Sequence, residues 1–131
     1  MSLFEARRAH PSSGRRTTHR FANEVEREFA HLLDLYGLAW EYEPHEFVLD
    51  RDDLGRVTRS FRPDFYVTSL DLYVEITAMR QALVTQKNGK VRRFREQYPT
   101  VRLDVLYRRD LVDFFSRHGL SLPDARPSAD A

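Results

Sequence analysis

Arg62-Pro63-Asp64-Phe65-Tyr66-Val67 and Tyr73-Val74-Glu75-Ile76-Thr77 are the two runs that decide the fold. Both are rich in aromatic and β-branched residues, the types that fit a pleated, half-buried surface. Each carries a carboxylate: Asp64 in the first run, and Glu75 eleven positions later in the second. Successive strand side chains point to opposite faces. Alternation puts Arg62, Asp64, Tyr66 and Thr68 on one face, and Phe61, Pro63, Phe65 and Val67 on the other. In the next run Tyr73, Glu75 and Thr77 oppose Leu72, Val74 and Ile76. The connector, about Ser69 to Asp71, is short enough for a hairpin. In that hairpin Asp64 and Glu75 share one polar face.

Outward from this pair, the pattern switches between strand and helix. Phe21, Val25, Phe29, Leu32, Leu33 and Tyr36 recur at three- and four-residue steps, which predicts a helix from Arg20 to Tyr36, stopped by Gly37. Trp40 to Asp50 reads as a strand distorted at Pro44. Arg56 to Thr68 reads as a second strand after the turn Arg51-Asp52-Asp53-Leu54-Gly55, and Leu72 to Thr77 as a third. A helix is expected at about Thr85 to Gln97, although Asn88-Gly89 prefers turns. Val101 to Tyr107 alternates as a fourth strand. Asp110 to His118 closes the body as a short helix, with Asp110 as its N-cap. The expected order is αβββαβα: a single small α/β domain, a mixed β-sheet flanked by helices. The helix between the third and fourth strands lets them run parallel.

The chain has 131 residues, of which 41% are hydrophobic and 31% charged. That is enough for one domain with a core. Residues 1–19 read as a flexible basic arm, 20–119 as the folded domain, and 120–131 as a flexible tail. No apolar run is long enough to span a bilayer, so no membrane association is expected. The N-terminal arginines precede no apolar core, so no secretory leader is expected. There is no cysteine. This excludes disulfides and thiol catalysis and fits a cytoplasmic protein.

The net charge is +1, but positive charge is clustered. Residues 1–20 hold five arginines against one glutamate, and residues 79–97 hold six cations against Glu96. Those six are Arg80, Lys87, Lys90, Arg92, Arg93 and Arg95. Such clusters suit a polyanion, and equally suit a solvated arm and helix face. In Lys90-Val91-Arg92-Arg93-Phe94-Arg95 the apolar residues are expected to face the sheet, leaving the cations outward.

Two close carboxylates repel each other, and a shared cation relieves the repulsion. Hard oxygen donors suit Mg²⁺ or Mn²⁺, and nothing asks for the nitrogen or sulfur ligands that zinc favours. The plain alternative is an exposed acidic hairpin with Arg62 paired to either acid. None of the five histidines shows metal-pair spacing. There is no nucleophile elbow and no glycine-rich phosphate loop.

Several runs together resemble the small PD-(D/E)xK nuclease-like domains, which have a restriction-endonuclease-like fold. They are Glu26-Arg27-Glu28-Phe29-Ala30, Tyr36-Gly37-Leu38, Trp40-Glu41-Tyr42-Glu43-Pro44, Arg62-Pro63-Asp64-Phe65 and Val74-Glu75-Ile76, spread over about residues 20–110. The resemblance implies a metal-dependent DNase ancestry with Asp64 and Glu75 as metal ligands. It also implies a first-helix glutamate near the metal, for which Glu26 is the best match and Glu24 and Glu28 are alternatives. The chain departs from the pattern once: the family lysine position holds Thr77. A threonine supplies no cation. Either a lysine arrives from elsewhere or the site is inactive. Lys87 is the first candidate, Lys90 the second and Arg80 the third, and Gln81 or Gln86 could hold a water. The expected function is hydrolysis of DNA phosphodiester bonds. The alternative is a catalytically inactive module of the same fold that binds nucleic acid or a partner protein. A homodimer is a third possibility, because a core this small leaves little surface for reading sequence.

Overall fold

The computed structural model describes residues 21–78 and 81–123. The expected basic arm, residues 124–131 of the expected tail, Arg80 and the side chain of Gln81 lie outside the described residues. Within them the chain forms a small α/β domain with a mixed β-sheet and three α-helices. No helix among the described residues is long and apolar enough to cross a membrane.

Helix α1 (Glu24–Leu35) starts where Asn23 adopts an extended backbone and its Oδ1 accepts from the Glu26 N–H at 2.9 Å. That bond satisfies one of the unpaired donors of the first turn. Val25, Phe29, Ala30 and Leu33 form the buried stripe. The helix ends at Gly37, whose φ of +72° costs little without a Cβ.

The two long strands expected over 40–50 and 56–68 are each broken in two. The first becomes β1 (Trp40–Tyr42) and β2 (Phe47–Arg51). The second becomes β3 (Val57–Phe61) and β4 (Phe65–Val67). One break holds Glu43, at φ +48°, and Pro44; the other holds Pro63. Proline has no N–H to give to a ladder, and a left-handed Glu43 cannot continue a strand. Next come β5 (Leu72–Thr77), helix α2 (Gln81–Gln97), β6 (Leu103–Tyr107), a 3₁₀ turn (Arg108–Asp110) and helix α3 (Leu111–Arg117). Asp110 caps the 3₁₀ turn, accepting from the Tyr107 N–H at 2.8 Å, and its side chain does not bond the first turn of α3.

The main sheet runs β1-β4-β5-β6, and β2-β3 is a separate two-stranded sheet. The expected order αβββαβα is therefore corrected: the meander is β1-β4-β5, with a hairpin inserted between β1 and β4. β4 and β5 are antiparallel with Phe65 opposite Val74, and β5 and β6 are parallel with Glu75 opposite Val105. Helix α2 makes the crossover that a parallel pair needs. It begins at Gln81, a turn earlier than expected, and runs through Asn88-Gly89. The buried stripe Val84, Val91 and Phe94 overrides the turn preference of that pair.

β5 is buried along its whole length because both of its faces are covered. On one face Val74 and Ile76 join Phe65, Phe29 and Phe114 in a core with α1 and α3. On the other, Tyr73 joins Phe47, Phe61, Val91 and Phe94 in a core with α2 and the hairpin. Tyr98 Oη donates to Val48 O at 2.8 Å and Gln97 Nε2 to Leu49 O at 2.7 Å, which ties the hairpin to the end of α2. The β2-β3 hairpin and α2 thus stand side by side, on the face of the sheet that carries Glu75.

Candidate functional site

Asp64 directly follows the proline break, and Glu75 lies in the middle of β5. The register that pairs Phe65 with Val74 sets Asp64 beside Glu75. Each carboxylate holds the other strand's backbone. Asp64 N–H donates to Glu75 Oε1 at 3.1 Å, and Ile76 N–H donates to Asp64 Oδ2 at 2.8 Å. Asp64 is 8% exposed and Glu75 6%. The expected shared face is present.

Lys87 reaches this pair from α2. Its Nζ lies 2.6 Å from Glu75 Oε2 and donates to Ile76 O at 2.7 Å. The side chain is only 11% exposed, so the ammonium sits inside the domain. A lysine ten residues beyond position 77 thus brings its charge to the carboxylates. Thr77, at the expected lysine position, is buried, and its Oγ1 has no hydrogen-bond partner among the described residues.

Burial sets the electrostatics. It raises the pKa of Asp64 well above the usual carboxylate range, and the charges of Glu75 and Glu26 raise it further. Burial also raises Glu75, outweighing the downward pull of the Lys87 ammonium. Asp64, pushed up to about 9, therefore keeps its proton at neutral pH beside the Glu75–Lys87 contact.

Glu26 is buried, and its charge acts on Asp64. Its Oε1 accepts from Tyr42 Oη at 2.6 Å and from the Ala22 N–H at 3.0 Å. Burial and this bond raise the pKa of Tyr42. Glu26 thus fastens β1 to the start of α1. Among the described residues no three acids or histidines form a group that could hold a metal ion. The donors around the Lys87 ammonium are Glu75 Oε2 and Ile76 O, with Asp64 adjoining. Mg²⁺ and Mn²⁺ accept one or two carboxylates plus carbonyl or water oxygens, so this set fits them. The ammonium, a cation held by two oxygens, is a stand-in that shows where positive charge is accepted.

A cleft of about 690 Å³ opens above the pair. Glu75 and Lys87 lie at its base, Arg59, Phe61 and Arg62 come from the hairpin side, and Lys90 comes from α2. Arg59 pairs with Asp50 at 3.5 Å and Arg62 with Glu46 at 3.3 Å. Lys90 has no ion pair among the described residues. Of the cations expected to meet nucleic acid, Lys87 and Lys90 line this cleft. Three residues apart, they share a helix face. Arg93 is turned to Asp50 at 3.0 Å and also pairs with Glu96. Arg92 and Arg95 border a different depression, and Arg95 donates to Leu103 O at 2.8 Å. Val91 and Phe94 are buried as expected.

Sequence reasoning missed Arg59, the cleft role of Arg62, the Ile76 carbonyl and Tyr42. The only sequence signal for the two arginines was basic charge just before the Pro-Asp pair. Their placement depends on the hairpin leaving the main sheet, which the two proline breaks produce together. Compared with protein-family models, with curated proteins and with solved structures, the chain matches none of them.

Proposed function

We propose that this chain is a Mg²⁺- or Mn²⁺-dependent endonuclease-like hydrolase of DNA phosphodiester bonds, built on a restriction-endonuclease-like fold. One observation carries the reading. The Lys87 ammonium meets Glu75, itself clasped to Asp64, at the base of a cleft edged by Arg59, Arg62 and Lys90. Two acids and a lysine beneath a cationic cleft suit a phosphodiester substrate.

Asp64 and Glu75 would hold the ion, with the Ile76 carbonyl beside them. A bound divalent ion supplies a more acidic water and stabilises charge on a phosphate oxygen. Asp64 must first release its proton to act as a ligand, so loading the site releases a proton to solvent. Lys87 would orient the attacking water or offset charge on the phosphate. Arg59, Arg62 and Lys90 hold the backbone without reading sequence. Glu26 supports the site through Tyr42 and is not needed as a ligand. The lack of cysteine suits the reducing cytoplasm.

The test is cleavage of single-stranded, double-stranded and flapped DNA by the purified protein with Mg²⁺, Mn²⁺ or EDTA. Asp64→Ala, Glu75→Ala and Lys87→Ala are each expected to lower the rate by about 100-fold or more. Undiminished cleavage in Asp64→Ala and Glu75→Ala would sink the assignment. One observation favours a second reading, an inactive module that binds nucleic acid: the lysine position holds Thr77, and Lys87 already neutralises Glu75. That module would bind DNA in a salt-dependent, metal-independent way.

A further inference from the structure

We propose that the Lys87 ammonium is the resting occupant of the divalent-cation position, and that a metal ion entering the site expels it into the cleft. This rests on reading Asp64 and Glu75 as metal ligands, and it goes beyond that reading by coupling metal binding to a movement of Lys87. Nζ stands 2.6 Å from Glu75 Oε2 and 2.7 Å from Ile76 O. Those two oxygens are donors of the kind a hard cation takes, and both are turned to one point that the ammonium holds. A divalent ion binds such oxygens at about 2.0–2.6 Å. It cannot use the same lone pairs while the ammonium uses them, and two cations on one pair of oxygens repel.

Several neighbouring carboxylate oxygens are already engaged elsewhere. Glu75 Oε1 is held by the Asp64 N–H and Asp64 Oδ2 by the Ile76 N–H. Glu26 Oε1 is taken by Tyr42 and Ala22. The lysine stem is long, and the residue itself lines the cleft, so the displaced ammonium has open space to enter. There it joins Lys90, Arg59 and Arg62, where a phosphate backbone would lie. One exchange thus converts Lys87 from a carboxylate partner into a phosphate ligand. Metal and polyanion then favour the same arrangement, and each tightens the other's binding. Without metal the site is closed by its own lysine.

The experiment uses Mn²⁺ as the probe and needs no turnover. Lysine amines of the full chain are acylated with acetic anhydride, with and without Mn²⁺, and quantified residue by residue by mass spectrometry. In parallel, Mn²⁺ affinity is measured by titration calorimetry for the wild-type chain, Lys87→Met, Lys90→Met and Glu75→Gln. The expected result is a several-fold faster acylation of Lys87 with Mn²⁺, absent in Glu75→Gln. Lys87→Met is expected to bind Mn²⁺ about tenfold more tightly or better, since a competing cation is removed. Lys90→Met, which removes a neighbouring charge but no occupant, should gain less than about threefold. Mn²⁺ binding that leaves Lys87 equally or better protected overturns the displacement while sparing the metal site. Failure of every form to bind Mn²⁺ overturns the metal reading itself, and the displacement with it. The acylation measurement on the wild-type chain decides the question even if Lys87→Met folds poorly.

Discussion

Replacing Asp64 with Asn is expected to stabilise the metal-free protein, and by more as the pH rises. Asp64 is 8% exposed and lies against Glu75. Burial first, then Glu75, then Glu26 raise its pKa from 3.8 to about 9. In the unfolded chain the group ionises near its ordinary value of about 4. Between those two values the folded protein holds a proton that the unfolded chain has released. The native state then binds more protons, so this group's contribution to stability falls as the pH rises. It is fully present below the unfolded pKa and is lost as the pH passes the folded one. One proton corresponds to about 1.4 kcal/mol per pH unit, so about pH 5 to about pH 8 sets a ceiling of roughly 4 kcal/mol. Relaxation and water entry at the cleft reduce this to about 1–3 kcal/mol. Asn keeps the size of the side chain and an oxygen for the Ile76 N–H, but it has no charge to bury. The assay is urea unfolding in EDTA, at four pH values across that range, for both chains. The stability gap between Asp64→Asn and wild type should widen steadily with pH. A flat gap, or a variant less stable than wild type at the highest pH, refutes a protonated Asp64 in the resting site.

A Cβ at Gly89 would meet nothing within 4 Å, and the residue lies inside α2. Gly89→Ala should therefore raise stability by about 0.5–1 kcal/mol in urea unfolding, by removing a glycine's entropy cost from a helix. The cleft cations predict a second, independent measurement. Arg59→Ala, Arg62→Ala and Lys90→Ala should each lower the slope of log affinity for DNA against log salt by about one, whereas Arg93→Ala, which lies outside that cleft, should leave it unchanged.

The central pair was legible because strand alternation is a local rule. Asp64, Glu75 and Thr77 each follow from their own strand's period, and the short connector fixes the register. The parallel pairing of β5 and β6 was equally legible, since a helix between two strands leaves few arrangements. The strand breaks were not. Pro44 alone reads as a distortion, and Pro63 reads as one more position inside the strand Arg56 to Thr68. Only together, in breaks joined by the Glu43 N–H to Asp64 O bond, do they split the hairpin and set β2-β3 apart as its own sheet. That separation builds the cleft wall from Arg59 and Arg62, so the cleft was invisible in the sequence. Glu26 shows the same limit from the other side. The resemblance singled it out, but the Tyr42 hydroxyl that donates to it comes from another element. Lys87 and Lys90 were indistinguishable by composition. Packing of α2 against β5 selects Lys87, because the Val84, Val91 and Phe94 stripe fixes how the helix is rotated.

Thr77 gives the sharpest separation between a site kept for chemistry and one kept for packing. Its residue is 3% exposed, and its Oγ1 has no hydrogen-bond partner among the described residues. A buried hydroxyl without a partner costs about 1–3 kcal/mol. Valine has nearly the same shape and no hydroxyl, and β-branching suits a central strand. Selection for stability alone would therefore favour valine at this position. Thr77→Val is expected to raise the stability of the metal-free protein by about 1 kcal/mol, since a buried polar group is replaced by an apolar one. Alternation puts Thr77 on the same face as Glu75, two residues along, so its hydroxyl is aimed to the side that carries the acids and Lys87. If the site is catalytic, the same variant should lose cleavage rate while gaining stability, because the hydroxyl that destabilises the resting fold is used with substrate or its water. The two measurements, urea unfolding and cleavage rate with Mg²⁺, must move in opposite directions. A variant that loses stability shows that the hydroxyl is satisfied in the resting fold. A variant that gains stability at full activity shows that position 77 takes no part in the chemistry and leaves that part to Lys87.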